Sequence, residues 1–100
     1  MAEIKQQMGL DVALDENVAG GIYSNLAIIS HSKTEFVIDF AAILPGMPKA
    51  KVRSRILLTP EHAKRLLLSM QENLARYESS FGEIEISGGN PQAFCKPGQA

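Results

Sequence analysis

The chain has 100 residues, 45% of them hydrophobic and 21% charged, with a formal net charge of −1. That is material for one small domain. The apolar share is too high for a disordered chain, and the balanced charge excludes a wholly basic nucleic-acid coat or an acidic tail. One cysteine excludes an intrachain disulfide framework and a four-thiolate zinc site.

Residues 1–9 carry no apolar run of the kind a secretory leader needs and read as a flexible N-terminus. The apolar runs, residues 41–44 and 66–68 among them, fall far short of the roughly 20 residues of a membrane span. Residues 10–14 are a candidate edge strand. Gly20 and Gly21 then mark a turn or bulge, not a phosphate loop, because no Gly-Lys-Ser/Thr follows. Residues 24–30, 35–43 and 51–58 read as strands. They are joined by a four-residue turn (31–34) and by a loop (44–50) whose two prolines prevent regular pairing. Such short connections favour antiparallel neighbours.

A helix follows. Thr59 suits its cap, Pro60 its first position and Glu61 the positive end of its dipole. Ala63, Leu66, Leu67, Met70, Leu74, Tyr77 and Phe81 recur at spacings of three and four and form one stripe, and Gly82 is a natural stop. The spacing predicts a helix over residues 60–80. Residues 83–86 are a candidate further strand. Residues 87–100, rich in Gly, Pro and small polar residues, read as a disordered tail. A lone Cys95 there suits a reducing, cytoplasmic compartment. The expected fold class is α+β. One domain over residues 10–86 holds an antiparallel three- to four-stranded meander, then one long amphipathic helix packed on one sheet face.

Pairing Ser30 with Glu35 and Asp39 with Arg55 puts Ala27, Ile29, Phe36, Ile38, Phe40, Val52, Ile56 and Leu58 on one face. That face is the expected seat of the helix stripe, whose burial contributes roughly 10 kcal/mol before entropy. The opposite face carries Leu26, Ile28, Val37 and Leu57 beside Asp39, Arg53 and Arg55. One helix covers one face, so the second is expected to form an exposed patch of the kind that marks an interface. Leu68 and Ala75, off the stripe, are a second hint. The expectation is a homodimer or a protein partner on that second face. The competing cover is the chain's own leading segment with Ile4, Met8, Leu10, Val12 and Leu14.

Lys49, Lys51, Arg53 and Arg55 are the strongest charge feature, the last three alternating and so expected on one face. Three readings compete. The run is a solvated or Asp39-paired strand face, a dock for an acidic protein, or a phosphate-binding surface for nucleic acid. No aromatic residue interleaves with it to stack bases. His31 and His62 fit no metal-ligand spacing, so neither metal nor cofactor is expected. Ser30, Ser32, His31 and Asp39 lack an oriented base. The acidic pairs 15–16 and 83/85 suit element edges, and Tyr23 and Tyr77 suit packing. With no convergent polar cluster, a non-enzymatic protein is expected.

Several stretches resemble the short bacterial family catalogued as domain of unknown function 3467: residues 21–25, 32–40, 52–66, 73–78 and 81–84. The likeness spans about residues 10–86. The family pattern emphasises Tyr23, Asn25, Glu35, Phe36, Asp39, Arg53, Arg55, Pro60, His62, Lys64 and Arg65. The resemblance implies a cytosolic protein with no cofactor and supplies no catalytic residues. It also implies an accessory role for bacterial RNA polymerase, beside whose large-subunit genes relatives are encoded. Asp39, Arg53 and Arg55 are the expected contacts. The sheet-then-helix order is architecturally similar to the SecB-type export chaperone, a further alternative.

Overall fold

The computed structural model describes residues 3–7, as backbone, and residues 10–87. Its elements in chain order are β1 (Glu3–Gln7), β2 (Leu10–Leu14), α1 (Glu16–Ala19), β3 (Leu26–His31), β4 (Phe36–Ala42), β5 (Lys51–Leu58) and α2 (Pro60–Phe81). Strands β3, β4 and β5 form an antiparallel meander in that order. This is the expected α+β order, a sheet followed by one long helix. The expected packing of that helix on the sheet is absent: no residue of α2 is buried.

The N-terminal part differs from the sequence reading. Where a flexible leader is expected, Glu3–Gln7 form β1 and pair antiparallel with β2, from Glu3↔Leu14 to Gln7↔Leu10. This is a separate two-stranded ribbon, so β2 is not an edge of the main sheet. The one-turn helix α1 is also unexpected. Its N-cap position is Asp15, whose carbonyl accepts from the Val18 and Ala19 amides. Gly21, at φ 78°, then turns the chain toward β3. The 83–86 strand does not form. The tail, with Cys95 and all but Ser87 of its residues, lies outside the described residues, as do Met8 and the side chain of Ile4.

The β3–β4 register is Ile29↔Ile38 and Ser30↔Val37, two residues from the Ser30–Glu35 pairing read from sequence. The turn is residues 32–35, closed by the Ser32 amide donating to the Glu35 carbonyl at 2.9 Å. A shift of two leaves every side chain on its expected face, since the strand period is two. Asp39 does pair with Arg55. Between Phe40 and Ala41, however, the β4–β5 register shifts: Phe40 faces Ser54 and Ala41 faces Val52, leaving Arg53 as an extra residue in β5. This bulge moves Val52 to the face of Leu26 and Ile28. It also sends Lys51, opposite Ala42, to the other face.

The β4–β5 loop contains a turn with Pro45 and Gly46 in its central positions. The Met47 amide donates to the Leu44 carbonyl, and Gly46 takes φ 81°. That is the Pro-Gly chemistry of a type II turn. At the same end of the sheet Asn25 extends the ladder with its side chain. Its Nδ2 donates to the Ile43 carbonyl at 3.0 Å, and its Oδ1 accepts from the Ile43 amide at 2.8 Å. Asn25→Asp turns the donor into a second acceptor aimed at that carbonyl. It is expected to cost about 1–2 kcal/mol in urea unfolding, more than Asn25→Ala.

Within the described residues the buried apolar side chains are Ile38, Ala41 and Ala42, all in the central strand. Ile38 sits between Ile29 and Ile56.

Candidate interaction surface

Three apolar surfaces are left wholly or partly open. The first is the α2 stripe. The helix forms as its sequence dictates: the Thr59 hydroxyl accepts from the His62 amide at 3.1 Å, Pro60 opens the first turn and Gly82 closes the last. Glu61–Arg65 and Glu72–Arg76 ion pairs run along its flanks at spacing i,i+4. Yet Leu67 is 54%, Leu74 43% and Phe81 76% exposed. Past Gly82 the chain folds back. The Ile84 amide donates to the Glu78 carboxylate at 3.0 Å, and Ile84 closes one wall of an open groove of about 540 Å³ against Met70, Leu74, Tyr77 and Phe81. The rings of Tyr77 and Phe81 lie 5.0 Å apart.

The second surface is the sheet face of Ala27, Ile29, Phe36, Ile38, Phe40, Ile56 and Leu58. Expected to seat α2, it is instead leaned over at one end by the chain's own residues 17–24. Asn17, Val18, Ile22 and Ser24 share a cleft of about 400 Å³ with Phe40, Ser54 and Ile56. Residues 17–24 thus cover part of the first face. The Ile29 end stays open. His31, at the corner of this face, stacks on Phe36 at 5.2 Å.

The third surface is the opposite face. It brings together Leu26, Ile28, Val37, Leu57, Asp39 and Arg55, as expected, with Ala41 beside Leu26, and the bulge adds Val52. Leu57 is 58% exposed. Arg53 stands out of register, and Lys51 is on the other side, so the basic run is not a one-face array. At the centre Arg55 grips Asp39 with both ends of its fork: Nε to Oδ1 at 2.6 Å and Nη2 to Oδ2 at 2.8 Å. These charge-assisted hydrogen bonds hold the Asp39 carboxyl below the usual carboxylate range. A depressed folded pKa stabilises the fold above the unfolded pKa and loses that contribution as pH falls through the folded value. The stability advantage of the wild type over Asp39→Asn is therefore expected to be flat above about pH 5 and to shrink progressively below pH 4. Urea titrations at several pH values measure it; an advantage that persists unchanged to the lowest pH contradicts it.

Among the described residues no group of three or more His, Cys, Asp or Glu side chains is placed to hold a metal ion, and no helix is long and apolar enough to cross a membrane. A family model, Protein of unknown function (DUF3467), matches residues 1–86. The chain belongs to this family. No curated protein and no solved structure matches it. The DUF3467 likeness read in the sequence maps onto the parts that set these surfaces. Residues 21–25 hold the turn and the Asn25 clamp, 32–40 the first hairpin, and 52–66 the bulge, the Arg55 fork and the helix cap.

What sequence reasoning missed is the openness of the α2 stripe, and of Ile29 and Ile56, which it assigned to a buried core. One signal was present: a single residue, Thr59, separates β5 from α2.

Proposed function

We propose that this DUF3467 chain is a non-enzymatic, self-associating interaction module of the cytoplasm, a homodimer that serves a further protein partner. One observation carries the reading. The amphipathic helix α2 presents its stripe outward while the Ile29 end of the sheet is also open. Exposed apolar patches of this extent mark association surfaces. A stable interface buries about 800 Å² per partner, and the large apolar side chains of the stripe, Leu66, Leu67, Met70, Leu74, Tyr77 and Phe81, are each at least 37% exposed and open to a second copy. Size-exclusion chromatography with light scattering at micromolar concentration tests it. The expected mass is about twice 10.9 kDa, and a clean monomer removes the proposal.

The Asp39–Arg55 face, with Leu26, Ile28, Val37 and Leu57, is the surface left for the further partner. Bacterial RNA polymerase, which the family likeness suggests, is the partner to try. Co-elution with the purified polymerase that Leu57→Glu abolishes without dissociating the dimer supports it. No co-elution at near-physiological salt removes that partner. The nucleic-acid alternative is weakened by the bulge, which divides Lys51 from Arg55.

A further inference from the structure

We infer that the two copies exchange their long helices: α2 of each lies on the Ile29 end of the first sheet face of the other. The inference rests on the self-association proposed above and specifies its geometry. The junction decides it. Leu58 is still paired with Phe36 in the sheet, and Pro60 is already helical, so Thr59 alone joins them. Two virtual bonds span at most about 7 Å. Packed layers lie roughly 10 Å apart, so the chain has no slack to climb out of the sheet and also reverse over it. Connections of two to six residues are usual between a strand and a helix that packs back on it. Thr59 is extended (φ −69°, ψ 154°) and its hydroxyl is committed to the helix cap, while the Pro60 ring fixes the next φ. The helix is therefore held off its own sheet, and the Ile29 end of the sheet is left without its layer.

Each copy lacks what the other presents. The Ile29 end of the first face has Ile29, Phe36, Ile38, Ile56 and Leu58, with no Asp, Glu, Lys or Arg among them. Lys51 sits at the far corner, beyond Phe40 and Ser54, where residues 17–24 already lean. The second face is the poorer seat for an apolar stripe, because it would bury the Asp39–Arg55 pair at a desolvation cost. Short connections are the usual cause of such exchange, and lengthening them relieves it.

Insertion of Gly-Ser-Gly between Leu58 and Thr59 tests the inference, since it leaves cap and helix intact. The expected product is a folded monomer with unchanged helix content and an unfolding midpoint independent of concentration. An insertion variant that dimerises as tightly as the wild type overturns the exchange and leaves self-association standing; a monomeric wild type overturns both. If the insertion variant does not fold, a mixing experiment decides. Met70→Cys chains are mixed with Ile29→Cys chains, each also carrying Cys95→Ser, and treated with a short bismaleimide. Cross-linked heterodimers are expected. Met70–Met70 position products alone, or links only to a Leu57→Cys control on the second face, overturn the assignment.

Discussion

Leu74→Ala is expected to raise the dissociation constant of the dimer about 10³-fold or more. Leu74 lies mid-stripe and is 43% exposed, so in the proposed dimer its burial comes from the partner. Truncating such a leucine costs about 2–3 kcal/mol, and twofold symmetry applies the loss twice. At 1.4 kcal/mol per decade the sum is about three or more decades in affinity. Leu68→Ala, equally aliphatic but off the stripe, is expected to change affinity by less than threefold. Sedimentation equilibrium over a concentration series measures both, and equal effects from the two substitutions contradict the stripe as the dimer surface. A companion observation is an unfolding midpoint that rises with protein concentration, because each folded copy is stabilised by the other.

Ile38→Ala is the second large effect. Ile38 is 8% exposed at the centre of the sheet, flanked by Ile29 and Ile56. Its loss is expected to cost about 2–4 kcal/mol, from lost transfer energy and the cavity left between two neighbours that strand pairing holds apart. Val52→Ala, on the exposed side of an edge strand, is expected to cost under about 1 kcal/mol. Urea unfolding at fixed concentration separates them. A cost for Ile38→Ala no larger than for Val52→Ala contradicts the central core.

Local chemistry was legible in the sequence and tertiary cover was not. Thr59, Pro60 and Gly82 delimit α2 to within a residue because caps act within one turn. The faces of β3 and β4 survived a two-residue register error because the alternation has period two. Arg53 shows where alternation stops helping. A bulge adds one residue to one strand, and no residue type in Lys51-Val52-Arg53-Ser54 announces it, so the expected grouping of Lys51, Arg53 and Arg55 broke there. The pairing of Glu3–Gln7 with β2 was hidden by a weak pattern, Ile4 alone among polar neighbours. The stripe of α2 gives its periodicity, not what lies opposite. Only the one-residue spacing at Thr59 constrains that, and its meaning depends on knowing that β5 stays paired up to Leu58. The candidate contact residues Asp39 and Arg55 were found because opposite charges matched across the expected ladder.

The Thr59 junction also gives the molecule a mechanical property. With Leu58 paired in the sheet on one side and the Pro60 ring fixing φ on the other, the backbone torsions of Thr59 set the angle between β5 and α2. Twenty-two residues of helix make an arm about 33 Å long. A change of about 10° in that angle sweeps the far end by roughly 6 Å. The angle set at a single threonine is thereby magnified at Phe81.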